Sequence, residues 1–279
     1  MRIVEAAQIG AAVERLFIRA NRSLPPDLRD RIRACHAEET WPPAKDSLEK
    51  IIENFETAEK DQVPVCQDTG MACVFVDMGR EVHVEGDIRA AVDDGVRIAC
   101  RDGYLRASIV EDPLRRVNTG DNTPAMLYLD IVEGDRITLT VAPKGFGSEN
   151  MSRVKMLRPS DGEAGLIDFV VSAVEDAGPN PCPPIVAGIG VGGNFDRAPL
   201  LAKKALLRPL NIPHPDPYYA ALEREILGRL NALGIGPQGF GGRITALAAV
   251  IEAAPTHIAG LPAAVNINCH VSRHAQEII

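Results

Sequence analysis

Three cysteines of this chain lie far apart, each in a stretch rich in glycine, proline or amides rather than on an apolar face: Cys66 in Val65-Cys-Gln-Asp-Thr-Gly70, Cys182 in Asn180-Pro-Cys-Pro-Pro184 and Cys269 in Asn266-Ile-Asn-Cys-His270. This is the usual footprint of three thiolates converging on one metal centre, so the fold is expected to carry three distant loops to one place. Three soft ligands suit an iron–sulfur cluster, which normally takes four cysteines, and a missing fourth leaves one iron free as a Lewis acid. Zinc is the competing metal. A structural zinc site usually shows ligand pairs at Cys-x-x-Cys spacing, and the chain has none.

The other three cysteines have periodic, apolar neighbours: Cys35 in Arg31-Ile-Arg-Ala-Cys, Cys73 in Met71-Ala-Cys-Val-Phe-Val76, and Cys100 at the end of Val96-Arg-Ile-Ala-Cys. A free cysteine behaves as a small hydrophobe, so these read as packing residues. With 279 residues the chain is long enough for a large core, as one big domain over residues 1–279 with a helical N-terminal region within it, or as two modest domains. No apolar run approaches a membrane span, and Met1-Arg-Ile-Val-Glu5 reads as the start of an amphipathic helix rather than a signal peptide. A cytoplasmic location without a membrane partner is the expectation, and in that reducing compartment isolated cysteines read as metal ligands or core residues rather than disulfides. The formal net charge of −8 argues against nucleic acid. Screening confines its repulsion to roughly 10 Å, so an anionic substrate is still compatible where local arginines meet it.

Residues 1 to about 60 read as helical: Ile3, Ala7, Val13, Leu16, Phe17 and Ala20 mark one apolar face, and Leu48, Ile51, Ile52 and Phe55 mark another after Ser47, a candidate N-cap. Strands are expected near 63–78 and 125–142, where Leu127-Tyr-Leu-Asp-Ile-Val132 and Arg136-Ile-Thr-Leu-Thr-Val141 flank Glu133-Gly-Asp135 like a hairpin. Helices are expected from Asp87 to Cys100 and near 161–177, 197–207 and 217–233, followed by apolar runs at 243–253 and 263–271. The pattern predicts an α/β fold, a mixed sheet surrounded by helices. The proline cluster Pro209 to Pro217 is the candidate internal connection.

Gly188-Ile-Gly-Val-Gly-Gly193 matches a dinucleotide-binding glycine pattern, but that fingerprint needs a second strand with an acidic residue about 20 residues on. Here a helical stretch and Arg208-Pro-Leu-Asn-Ile-Pro-His-Pro215 follow instead. The favoured reading is structural, with the glycines letting the backbone pass close to the Cys182 loop. Asn118-Thr-Gly-Asp-Asn-Thr-Pro124, Lys144-Gly-Phe-Gly-Ser-Glu-Asn150 and Gly236-Pro-Gln-Gly-Phe-Gly-Gly-Arg243 mix glycine with amides, hydroxyls and charges, and each alone reads as an ordinary turn.

Taken together, Cys66-Gln-Asp-Thr-Gly70, Tyr104-Leu-Arg-Ala-Ser108, Asp112 to Ala125, Lys144 to Asn150, Gly188 to Asp196, Pro255-Thr-His257 and Asn268-Cys-His270 resemble the class I iron–sulfur fumarate hydratases, and more narrowly the alpha subunit of the two-subunit form. Tartrate dehydratase is the close relative within that family. Phe146 departs from the family, where a glycine is common. The resemblance implies a hydro-lyase that adds water to a dicarboxylate double bond, converting fumarate to malate reversibly. It also implies a [4Fe–4S] cluster on Cys66, Cys182 and Cys269, with the open iron binding substrate. An electron-transfer iron–sulfur protein is the alternative of a different class, and it would show four protein ligands.

Building charge on a substrate carboxylate calls for cations and hydrogen-bond donors that grip it in the transition state. Arg106, with its planar fork, is the candidate clamp. Gln67 is a candidate substrate donor, and Asp68 is a candidate for proton transfer or for orienting a neighbour or capping a helix. The backbone N–H groups around Gly147 are a candidate carboxylate nest. By resemblance His257 reaches the substrate, while His270, next to Cys269, is placed to tune the cluster through hydrogen bonds to sulfur. The resemblance also implies a smaller beta subunit and an alpha2-beta2 assembly, because the chain stops soon after Cys269. In single-chain relatives a further region, about a domain in length, follows there.

Overall fold

The most apolar strand-like run, Met71-Ala-Cys-Val-Phe-Val76, has side chains buried on both faces, which requires a central position in a covered sheet. The computed structural model, which describes residues 1–279, gives it that place. In chain order the elements begin with β1 (Arg2–Glu5), α1 (Ala6–Arg22), α2 (Pro26–Glu38), α3 (Pro42–Asp61), β2 (Met71–Gly79), β3 (Val82–Glu85) and α4 (Ile88–Asp102). Next come β4 (Met126–Val132), β5 (Ile137–Lys144), the one-turn α5 (Phe146–Glu149), β6 (Arg153–Leu157), α6 (Gly162–Ala177) and β7 (Ile185–Gly193). The series closes with α7 (Arg197–Ala205), α8 (Pro217–Ala232), β8 (Ala246–Thr256), β9 (Leu261–Asn268) and β10 (Ala275–Ile278). The fold is α/β with mixed sheets and a helical N-terminal region, as the pattern predicts.

Backbone contacts group the chain into two compact units: unit 1 holds Met1–Pro25, Phe55–Phe146 and Arg273–Ile279, and unit 2 holds Pro26–Asn54 and Gly147–Ser272. The divisions avoid the Pro209–Pro217 segment, which lies inside unit 2.

In unit 1 the sheet order is β10-β5-β2-β4, with β1 and β3 forming a separate parallel pair. Alternate residues Ala72, Val74 and Val76 join Ile137, Leu139 and Val141 on the face covered by α1 and α4, while Phe75 stacks on Tyr128 at 4.7 Å on the other. Two glycines let those helices cross closely: a methyl group on Gly10 or Gly95 would run into the other helix's backbone carbonyls. Three sequence expectations change in the N-terminal half of the chain. Arg2–Glu5 is a strand paired with Val82–Glu85, not the first turn of a helix. Ser47 lies inside α3, its Oγ bonded to the Pro43 carbonyl at 2.8 Å, so the helix starts earlier than the proposed cap. The third concerns β4 and β5, which do not pair as a hairpin. Instead β2 lies between them, parallel to β4 and antiparallel to β5, and the 133–135 turn spans the end of β2. There Arg80 N–H donates to Val132 O at 2.8 Å and Glu81 N–H to Gly134 O at 3.0 Å. An apolar β2 buried on both faces needs two neighbours, and splitting the 126–144 segment supplies them.

In unit 2 the order is β6-β9-β7-β8, with β7 parallel to β8 and antiparallel to β9. The odd residues Ile185, Ala187, Ile189 and Val191 pack with α6 and α8, and the even positions face α7. That explains the glycine run. A methyl group at Gly188 or Gly190 would collide with the backbone of α7 at Ala202 or Ala198, so these glycines admit a helix rather than the Cys182 loop. The pattern also lies within a strand instead of at a strand-to-helix turn, as a dinucleotide site would need.

Candidate metal centre

Antiparallel pairing fixes two of the three loop cysteines. Val186 is opposite Asn268, so Cys182, just before β7, and Cys269, just after β9, emerge at the same end of the unit 2 sheet. Their loops are tied directly: His270 N–H donates to the Cys182 carbonyl at 3.5 Å, and His270 Nδ1 lies 3.0 Å from that same oxygen. Gln238, from the 236–243 glycine loop, braces the next residue, its backbone N–H and its Nε2 both reaching Pro183 O at 2.7 Å. That loop is held in turn by buried Glu39, whose carboxylate accepts from Arg243 N at 2.8 Å. His270 therefore joins the cysteine loops through a backbone carbonyl.

Cys66 belongs to unit 1, in the loop between α3 and β2. Its Sγ lies 3.5 Å from Gln67 Oε1, and Gln67 itself is exposed. The following residues are knitted to the neighbouring motifs. Asp68 Oδ1 accepts from Gly70 N at 3.0 Å and Oδ2 from Phe146 N at 3.0 Å, so both oxygens hold backbone. Thr69 Oγ1 accepts from Arg106 N at 2.8 Å. Fully buried Asn122 bridges Gly70 O at 3.0 Å and Ser108 N at 2.9 Å. The Gln-Asp-Thr-Gly, Arg-Ala-Ser, Asp-Asn-Thr-Pro and Lys-Gly-Phe segments thus form one hydrogen-bonded loop cluster. Arg106 is exposed at its edge, and its guanidinium is not in an ion pair.

Gly147 is exposed in the one-turn α5, with open space where a side chain would stand. His257 occupies the exposed turn between β8 and β9, where its Nδ1 accepts from Ala259 N at 3.1 Å. Because β8 runs parallel to β7, that turn is at the opposite end of the sheet from Cys182 and Cys269. The nine residues of β7 put the two ends about 26 Å apart at roughly 3.3 Å per residue. Unit 2 therefore does not bring His257 to its own two cysteines.

The six cysteines divide by environment as the sequence suggests. Cys66 and Cys269 are half-buried and Cys182 is exposed, whereas Cys35, Cys73 and Cys100 are buried. Desolvation pushes the Cys35 and Cys100 thiols up to about 11, which disfavours the thiolate a metal needs. No three His, Cys, Asp or Glu side chains are gathered closely enough to hold a metal ion. What fits a cluster is the donor chemistry: three accessible, unbridged thiols on loops braced by hydrogen bonds.

Sequence reasoning missed Arg273. It is 4 % exposed, and its NH2 group donates to the Asp68 and Thr69 carbonyls, the latter at 3.1 Å. An arginine near the chain end gives no burial signal without knowing that β10 returns to pair with β5.

The sequence matches the family described as Fumarate hydratase (Fumerase) over residues 10–277. A Methanocaldococcus jannaschii protein provisionally named L(+)-tartrate dehydratase subunit alpha is 42% identical over 275 residues, covering 96% of each chain. Proteins named L(+)-tartrate dehydratase subunit alpha from Escherichia coli O157:H7 and Shigella sonnei are each 32% identical over 260 residues, 92% of this chain and 86% of theirs. With a family match along nearly the whole sequence and a relative 42% identical over 96% of each chain, the chain belongs to the fumarate hydratase (Fumerase) family.

Proposed function

We propose that this chain is the alpha subunit of a hydro-lyase that adds water to, or removes it from, a four-carbon dicarboxylate. The observation that carries the reading is the braced loop cluster around Cys66, in which Thr69 Oγ1, three residues after that accessible thiol, accepts from the backbone N–H of exposed Arg106. A [4Fe–4S] cluster on Cys66, Cys182 and Cys269 would supply a Lewis acid for the substrate hydroxyl. Arg106 grips one carboxylate through its planar fork, and the contact strengthens as charge builds there in the transition state. Gln67 donates to substrate, and the N–H groups around Gly147 receive the second carboxylate. Asp68 orients this loop through its two backbone bonds, and any proton it handles must pass at an oxygen shared with Gly70 or Phe146. In an alpha2-beta2 assembly, a turn carrying His257 is free to serve a second copy of the chain, which reconciles a role for it with its distance from Cys182.

Hydration of fumarate to malate is the first substrate reading, from the family. L(+)-tartrate is the second, favoured by the names of the relatives above. The test is to assay both with anaerobically prepared chain, before and after adding the smaller subunit. Turnover of one dicarboxylate only after the partner is added supports the reading. Failure of both substrates with a fully loaded cluster and partner refutes it.

A further inference from the structure

A guanidinium that is 96% removed from solvent ordinarily has a carboxylate beside it, because an uncompensated buried charge is costly. Arg273 has none. At 4 % exposure its NH2 holds two successive carbonyls, Asp68 and Thr69, while its Nε is buried without a hydrogen-bond partner. The carbonyl dipoles offset part of the charge, and the loop those carbonyls belong to carries Cys66 only two positions before Asp68. At 3.8 Å between successive Cα atoms, those two residues are within about 8 Å of one another.

We infer that Arg273 is a positioning residue for the Cys66 loop and its fixed positive charge, matched to an anionic group gathered by the Cys66 thiolate. This rests on the cluster reading above and adds a residue to it. The carbonyl bonds set the direction in which Cys66 and Gln67 leave the loop. Through Thr69, whose hydroxyl accepts from Arg106 N, the same anchor fixes the start of the substrate clamp. The charge favours an anionic iron–sulfur centre and makes its reduction easier, since a nearby cation stabilises added negative charge.

Both duties are tested together in two variants of the full chain, reconstituted anaerobically with iron and sulfide. Arg273→Gln removes the charge and, its amide ending about two bonds short of the guanidinium NH2, releases the carbonyls as well, whereas Arg273→Lys keeps the charge and a donor for them. The readouts are the rate of iron loss to a chelator, the reduction potential of the centre, and thermal unfolding as the control for fold. Arg273→Gln is expected to lose iron at least about tenfold faster and to be reduced at a lower potential, while Arg273→Lys recovers the parent's potential. Parent-like iron retention and potential in Arg273→Gln would overturn the inference. So would a folded Arg273→Lys variant whose potential falls or whose iron is lost rapidly, and this arm decides the matter if the glutamine variant does not fold. If the parent chain itself binds no iron and sulfide, the cluster reading fails rather than the assignment of Arg273.

Discussion

Replacing Asp68 with asparagine separates the two tasks that the sequence allows this residue. The carboxylate accepts one backbone N–H on each oxygen, from Gly70 and from Phe146, both at 3.0 Å. An amide has one acceptor oxygen, so in either orientation its NH2 group faces one of those N–H donors. The lost charge-assisted hydrogen bond costs about 1.5–3 kcal/mol. At about 2–4 °C per kcal/mol for a domain of this size, the melting temperature of Asp68→Asn should fall by roughly 3–12 °C. Amide exchange should accelerate at Gly70 or Phe146 while β7 and β9 keep their protection. If Asp68 also takes part in proton transfer, kcat falls with iron content unchanged. A variant with the parent's melting temperature and unchanged exchange at both amides would refute the loop-holding role. An unchanged kcat would leave Asp68 a structural part only.

Arg106→Lys keeps the charge but loses the fork, and kcat/KM should drop at least about tenfold, equal to about 1.4 kcal/mol; near-parent kinetics would return Arg106 to the ordinary surface. In metal-free native protein at pH near 8, mapped alkylation should modify Cys66, Cys182 and Cys269 and spare Cys35 and Cys100, whose thiols burial holds at about 11. Rapid modification of either buried cysteine would contradict that division. Gly190→Ala places a methyl group against the α7 backbone at Ala198 and should destabilise by about 1–3 kcal/mol, read by denaturant unfolding. Burial works to raise the Asp121 carboxyl, but hydrogen bonds from Thr123 and Arg97 outweigh it and hold the group down at about 2. Its stabilising effect is present above the unfolded value of about 3.9 and is lost as pH falls toward 2. Asp121→Asn should therefore flatten the stability profile across that window.

Long periodic elements were legible in the sequence because their signal is local. Asp87 caps α4 through Ala90 N at 3.0 Å, and the helices near 162–177, 197–205 and 217–232 follow their apolar spacing. What the sequence does not carry is partner choice between strands. The turn at Glu133-Gly134-Asp135 looks the same whether its flanking strands pair with each other or admit β2 between them, and only burial of both faces of β2 decides. The β1 segment had the same difficulty, since its pairing partner lies about eighty residues away. At the candidate site the split between loop and core cysteines could be read from neighbours alone. Arg273 and Thr69 could not, because their importance comes from carbonyl and hydroxyl contacts made across long sequence separations. His257 looked like a site residue in its motif, yet its position depends on the strand direction of β8, which no motif encodes.

The central claim is that Cys66, Cys182 and Cys269 hold a cluster with one iron open to substrate. Mössbauer spectroscopy of the anaerobically reconstituted chain, recorded with and without malate or L(+)-tartrate, tests it directly. The account predicts that one iron subsite changes on adding the dicarboxylate while the rest do not, and that Cys66→Ser, Cys182→Ser and Cys269→Ser each abolish the cluster. A cluster indifferent to both acids, or one that survives these substitutions but is lost from folded Cys73→Ser or Cys100→Ser protein, would contradict it.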